Sequence, residues 1–280
     1  MIIFKHAADL TSFIKRQKKR DLLVGFVPTM GALHRGHISL VKESIKKNDI
    51  TICSIFVNPL QFNNAMDFKK YPITIENDIL LLEENGCPIL FLPDVSEIYP
   101  KGTAKIKSSA IGKLENILEG AFRPGHFAGV YAVVSRLLEI VKPDYLYLGQ
   151  KDYQQYLVIK NMADRKFRKI KVISRPIIRE KTGLALSSRN RRLNETEIVT
   201  ASELNKSLEF IKTHISNLNW QLIKKQQINI LEQKGFKVEY LEIANRQTLE
   251  TALNFDSKKQ WILLVAAWLA EVRLIDNTFL

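Results

Sequence analysis

Cysteine is scarce in this chain of 280 residues, which has only Cys53 and Cys87. Each sits inside an apolar run, and no C-x-x-C pair occurs, so neither a disulfide framework nor a thiolate metal site is expected. Two buried, reduced thiols are expected instead. Long apolar runs are also missing. The longest, Trp261 to Ala270, has 10 residues, where a membrane-spanning helix needs about 20. The opening MIIFKHAADL carries charge too early for a secretory signal and lacks a small-residue cleavage site. There is no Walker A sequence and no G-x-S-x-G elbow. No internal repeat, low-complexity tract or long linker interrupts the chain.

The remaining composition is that of a globular protein, 46% hydrophobic and 25% charged, and it excludes wholesale disorder. A chain of this length suggests one large or two modest domains and can bury a core without staples. The formal net charge is +13. Residues 1–175 hold 27 basic and 17 acidic residues, and residues 176–280 hold 15 and 12. The basic runs at 15–20 and 165–171 lack interleaved aromatics, so they read as solvated faces rather than nucleic-acid platforms. A polyphosphate ligand remains compatible with the excess charge.

The hydrophobic pattern gives the architecture. Continuous apolar or β-branched runs at 21–29, 49–57, 87–92, 144–149 and 171–176 read as strands covered on both faces. Helical spacing follows at 37–47, 73–86, 126–141 and about 153–163. Thr74 is the expected N-cap of the second helix and Gly86 its stop. Strand–helix–strand alternation predicts an α/β fold with a doubly wound parallel sheet. After about residue 176 the pattern changes. Two helices, at 195–214 and 219–234, precede a half-exposed strand at 236–245 and one or two strands in 260–277. We expect a nucleotide-binding domain in 1–176 and a smaller α+β domain in 177–280.

Ligands of doubly wound sheets bind at the carboxyl ends of the strands, and the polar motifs fall there. PTMGALHRGH (28–37) follows a strand and opens a helix. His34 and His37 are one turn apart, Gly31 and Gly36 permit close backbone approach, and a helix N-terminus favours anions. These features suit a nucleotide triphosphate. A metal reading would want a third ligand, and Glu43 is a turn and a half away. GQKDYQQ (149–155) supplies Lys151 as a point charge, Asp152 as a helix cap or site residue, and Gln155 on the first turn. LALSSRN (184–190) offers two hydroxyls and Arg189 to phosphate oxygens. Asn58 and Gln61 in FVNPLQF are neutral amides fit for a hydroxylated acid. RPGHFAGV places Arg123 and His126 at another helix start. Asp78 is a candidate for assisting Mg²⁺, against the common reading of a surface acid.

In this order the motifs, with VEYLEIAN and the terminal RLIDN, resemble the pantoate–β-alanine ligase (pantothenate synthetase) family over nearly the whole chain. The His-x-Gly-His element alone marks only the wider nucleotidylyltransferase class. The resemblance implies a Rossmann-like domain with a smaller C-terminal domain, usually in a cytoplasmic homodimer. It implies condensation of pantoate with β-alanine through a pantoyl adenylate, with ATP as co-substrate and Mg²⁺ as cofactor, and no nucleic-acid or membrane partner. Met30, Gly31, Ala32, Leu33, His34, Arg35, Gly36 and His37 would then contact ATP. So would Gly149, Gln150, Lys151 and Asp152, and Leu186, Ser187, Ser188 and Arg189, with Ile178 near adenine. His34, His37, Lys151 and Arg189 would carry the chemistry. Gln61 and Gln155 would hold pantoate, Gln61 also lying near β-alanine, with Asn58 and Arg123 as further substrate contacts. Asp78 falls where the family has an acidic pair near the metal. The rival readings are another nucleotidyltransferase of this fold and a basic RNA-binding protein.

Overall fold

The computed structural model describes residues 1–63, 65–102, 111–216 and 218–280. The chain opens with a short strand, β1 (Ile2–Phe4), and a helix, α1 (Ala7–Lys18). Neither is expected from the pattern. β1 has three residues, and α1 ends in the 15–20 charge run while burying only Leu10 and Ile14. The next units follow the expected alternation: β2 (Val24–Thr29), α2 (Arg35–Lys47) and β3 (Ile50–Ile55). The short helix α3 (Ala65–Lys69) leads to α4 (Ile75–Glu84), β4 (Ile89–Phe91), α5 (Val95–Ile98) and α6 (Glu119–Phe122). Then come α7 (His126–Val141), β5 (Tyr145–Gly149), α8 (Tyr153–Lys166) and β6 (Lys171–Arg175).

The six strands form one parallel sheet in the order β1-β4-β3-β2-β5-β6. From β2 the chain winds outward through β3 and β4, then crosses back to β5 and β6 on the other side. The strand order therefore reverses beside β2, and the crevice of a doubly wound sheet opens there. β3 is buried at every position and β2 at all but one, which is why both read as continuous apolar runs. α7, buried along nearly its whole length, fills one face of the sheet.

The remaining chain forms α9 (Glu195–Ala201), α10 (Glu203–His214), α11 (Trp220–Gln233), β7 (Phe236–Asn245), β8 (Trp261–Leu269) and β9 (Val272–Phe279). The single helix expected at 195–214 is divided at Ser202. The three strands pair antiparallel with β8 in the centre. Ile262, Leu264 and Ala266 join the core of the parallel-sheet region, whereas Leu263, Val265 and Ala267 pack in the cluster with α10 and α11. Both faces of β8 are thus covered, and its apolar run is a two-faced strand. Arg273, Ile275 and Asn277 lie opposite Trp268, Ala266 and Leu264 in the β8–β9 register. The odd-numbered residues of β9 therefore face the first region.

Ala266 and Ala267 are fully buried on opposite faces. A266L and A267L should each lower the urea-unfolding free energy by about 1–3 kcal/mol, because neither face has room. A neutral result for either would mean that face is open.

Candidate active site

The loop after β2 is built around one carboxylate. Gly31 (φ +79°) and Ala32 (φ +47°) are consecutive left-handed residues that fold the chain back on itself. The Ala32 and Leu33 amides donate to the two oxygens of Asp78 at 2.8 and 2.7 Å, and Thr74 Oγ1 adds a third bond at 3.1 Å. Asp78 is 1% exposed. It is expected as a metal assistant, and the structure assigns it a different task, since three donors from the protein already occupy its oxygens. Thr74, at the N-cap position of α4, gives no cap to that helix and serves Asp78 instead. Ala32 and Leu33 form the underside of the loop and do not face the cleft.

This grip presents the histidines. His34 caps α2: the Gly36 amide donates to His34 Nδ1, and the His34 amide donates to His37 Nδ1. Both Nδ1 atoms accept, so in each neutral ring the proton sits on Nε2. The ring centroids are 4.1 Å apart. Burial, then the neighbouring His37, Lys151 and Arg191, push His34 down from 6.5 to about 2. Burial likewise pushes His37 down to about 4. At neutral pH the pair supplies two uncharged N–H donors rather than two cations.

The second support carries Gln61. The turn at Pro59–Gln61 lies against α7, where a Cβ on Gly129 would come within 2.3 Å of the Leu60 carbonyl oxygen. Asn58 donates to the Gly129 carbonyl and to Gln61 Oε1, and accepts from Tyr99. Buried His126 bonds the Gln61 carbonyl through Nδ1. Asn58, expected as a substrate contact, is 0% exposed; it orients Gln61 from behind.

The third segment, Gly149–Asp152, continues directly from β5. Asn277 of β9 donates to the carbonyls of Gln150 and Lys151, and accepts from the Gln150 side chain. Gln150 therefore turns toward β9. Lys151 Nζ stands 3.5 Å from Asp152 Oδ2, and Asp152 makes no side-chain cap to α8. Sequence reasoning missed Asn277 as the brace of this loop. RLIDN was noted as a motif, but nothing in it points to residues 126 and 127 positions away.

The fourth segment docks on the first. Ser188 Oγ donates to the Ala32 carbonyl and Arg191 to the Leu33 carbonyl. Arg189 is held bidentate by Asp67 at 2.6 and 3.2 Å and lies over the Tyr71 ring. That pair uses its Nε and Nη2 donors. Arg35 pairs with Glu180 and is largely exposed, so it stands outside the cleft.

A cleft of about 200 Å³ opens at the carboxyl ends of β2, β3 and β5. Met30, His34, Gly36 and His37 line it, with Gln61 and Gln155 on the floor and Gly149, Lys151 and Asp152 beside them. Ile178 and Leu186 to Arg189 close the remaining wall. Gly31, Ala32, Leu33, Arg35, Asn58, Gln150 and Arg123 are not part of that wall. A second cavity of about 630 Å³ shares Lys151, Asp152, Ser187 and Arg189 with it and reaches Arg123. Among the described residues no three His, Cys, Asp or Glu side chains are grouped to hold a metal.

The model of the pantoate-beta-alanine ligase family matches residues 2–279. The chain belongs to that family. It is 46% identical over 280 residues to the pantothenate synthetase of Cytophaga hutchinsonii, covering 99% of this chain and 98% of that one. The Buchnera aphidicola pantothenate synthetase is 42% identical, again over 99% of this chain and 98% of its own length. The Thermus thermophilus pantothenate synthetase structure superposes with a TM-score of 0.90 at 37% identity, covering 99% of each chain. The Francisella tularensis pantoate-beta-alanine ligase, solved with Beta-gamma ATP and Beta-alanine, gives 0.84 at 38%, covering 100% of this chain and 97% of that one.

Three histidines of this ligase make its stability depend on pH. His126, like the pair, is pushed down, to about 3, by burial and then by Arg123. The unfolded chain protonates all three near the ordinary 6.5. Unfolding therefore takes up protons as pH falls below that value, and stability is lost on acidification. Exposed His6, raised by its hydrogen bond to Glu97, acts in the opposite direction. The urea midpoint should fall between about pH 7 and about pH 5, and H126Q should flatten that slope. An unchanged slope in H126Q would show that His126 is not a buried neutral ring.

Proposed function

We propose that this ligase joins pantoate to β-alanine at the expense of ATP, through a pantoyl adenylate, at the cleft between β2 and β5. The observation that carries the reading is the meeting of four separated segments on one crevice. Two uncharged N–H donors, Lys151 and the paired amides Gln61 and Gln155 all line it. Both pantoate and the triphosphate are anionic, so the site must neutralise phosphate while holding the acid in line.

In the first step a pantoate carboxylate oxygen attacks the α-phosphorus. The new O–P bond forms as the bond to the bridging oxygen breaks, and pyrophosphate leaves with that electron pair. Lys151 and the two histidine Nε2–H groups stabilise the charge that grows on the departing oxygens. Uncharged donors suit this task, since they do so without adding the cost of two more buried cations. Arg189 lines the same cleft and adds a further positive charge. Gln61 and Gln155 orient the acid, and such positioning is worth about 7–11 kcal/mol when reacting atoms are aligned. In the second step the β-alanine nitrogen attacks the acyl carbon. The C–N bond forms, AMP leaves with the C–O electron pair, and the nitrogen gives up a proton. No side chain acts as nucleophile.

The donor set fits Mg²⁺ carried on the phosphates rather than in a protein cage. Asp78 is consumed by the loop and Asp67 by two arginines, which leaves Asp152 as the acid that borders the cleft. Mg²⁺ commonly takes one or two carboxylates plus substrate phosphates; bound so, it would offset charge on the leaving group. The reading extends to a homodimer in the cytoplasm, and to residues 1–176 and 177–280 as nucleotide-binding and covering domains. Family membership and two unpaired buried thiols support it.

Pantoate-dependent exchange of pyrophosphate into ATP should proceed without β-alanine. Exchange that requires β-alanine would exclude the two-step route. K151A should slow single-turnover adenylate formation at least about tenfold, or about 1.4 kcal/mol of barrier, and an unchanged rate would remove Lys151 from the first step.

A further inference from the structure

The last strand, β9, grips two walls of the cleft with two consecutive residues. Asn277, 2% exposed, spends both hydrogens of its amide on successive carbonyls, those of Gln150 at 3.1 Å and of Lys151 at 2.9 Å. Its oxygen accepts from the Gln150 side chain at 3.1 Å. Among the described residues no other side chain bonds the backbone of Gly149, Gln150 or Lys151. Beyond the two elements that the loop joins, the point from which the Lys151 side chain springs is therefore held by β9.

Asp276 takes the other wall, since alternation turns consecutive side chains of a strand to opposite sides. It is 3% exposed and accepts from Arg179 at 2.6 and 2.9 Å, a bidentate geometry that fixes direction as well as distance. Arg179 in turn closes a small hairpin by donating to the Gly183 carbonyl at 3.1 Å. In that hairpin Arg179 bridges Ala185, and the Leu186 amide donates to the Ile178 carbonyl at 3.0 Å. Its two arms carry Ile178 and Leu186 to Ser188, which line the cleft. Burial pushes the Asp276 carboxyl above its ordinary range, and Arg179, the Asn277 amide and Lys151 work against that rise. The charge of Lys151 thus reaches the residue that holds the opposite wall. Neither Asp276 nor Asn277 lines the cleft itself, so each can serve the reaction only through the groups it holds.

We infer that Asp276 and Asn277 are positioning residues for adenylate formation, and that together they set the gap between Lys151 and the wall made by Ile178 and Leu186 to Ser188. This deepens the ligase reading above and rests on it. The two halves of the brace have separable effects. Asn277 places the charge that meets the departing pyrophosphate, so it acts on the rate of the first step. Asp276 places the hairpin against the nucleotide, so it acts on the affinity for ATP. A shift of about 1 Å made far from the reacting atoms can cost about a hundredfold in rate, which is why a brace outside the cleft matters to the chemistry inside it.

The test uses the full chain, with N277A, N277S, D276N, R179M, K151A and the double variant K151A/N277A, each checked for a cooperative urea transition. N277A should slow single-turnover adenylate formation by about five- to tenfold at saturating ATP, and N277S, which keeps one donor, should lose less. K151A/N277A should be no slower than K151A to within about twofold, because a residue that acts through Lys151 then has nothing left to place. A merely structural loss would multiply instead. D276N should raise the Kd of a non-hydrolysable ATP analogue by about fivefold while its adenylation rate at saturating ATP stays within about twofold of the wild type. R179M, which removes the same pair from its more exposed end, should do likewise. Losses that multiply in the double variant, or an N277A enzyme as fast as the wild type, overturn the role of Asn277; if N277A does not fold, N277S carries the same cycle. Unchanged analogue affinity in D276N and R179M overturns the role of Asp276. Absence of pantoate-dependent pyrophosphate exchange in the wild type would instead overturn the two-step reading, and the analogue affinities would still judge the brace.

Discussion

The architecture of the cleft hangs on the bonds between Asp78 and two backbone amides. A carboxylate is costly to bury, and it becomes tolerable when its oxygens receive several strong donors. Here those donors are the amides of Ala32 and Leu33, in a turn whose left-handed Ala32 would otherwise be strained. The exchange serves both partners: the acid is satisfied and the turn is locked. Because the turn is locked, His34 begins α2 at a fixed place, and the reciprocal bonds between the His34 and His37 segments follow. The underside of the same turn offers its carbonyls to Ser188 and Arg191. One anion inside the fold therefore aligns the first and fourth walls of the cleft.

Much of this was legible in the linear sequence because it depends on near neighbours. Runs such as 49–57 read as buried strands, and the helix-opening motif put two histidines one turn apart. Both inferences need only local periodicity. What escaped depends on distant partners. Asp78 bonds residues 45 and 46 positions away, Asn277 reaches back across the chain to Lys151, and Asp67 takes Arg189 from 122 positions away. No pattern within a window of residues distinguishes a carboxylate that anchors a turn from one that assists a metal. Asn58 is instructive in the same way. Its proximity to Gln61 correctly marked the turn, yet only packing against Gly129 shows that it faces inward.

The second sheet explains how the end of the chain participates. β8 is sandwiched, and alternation along β9 sends Arg273 and Asn277 toward the parallel-sheet region while Leu274 faces the helices behind. The strand carries a hydrophobic seam and two polar instruments at once. Its apolar contacts set the register, and the register delivers the instruments: Arg273 to Glu119, Asn277 to the Gly149–Asp152 loop. A slip of one residue would exchange the two faces.

The dependence of that loop on Asn277 also has a meaning in time. Lys151 leaves the ribosome 126 residues ahead of the amide that braces it, a delay of roughly ten seconds at ordinary elongation speeds. Through that interval the parallel sheet can collapse and gather its own core, while the loop after β5 still waits for its brace. A nascent chain is thus kept from bracing the loop after β5 until β9 has been made.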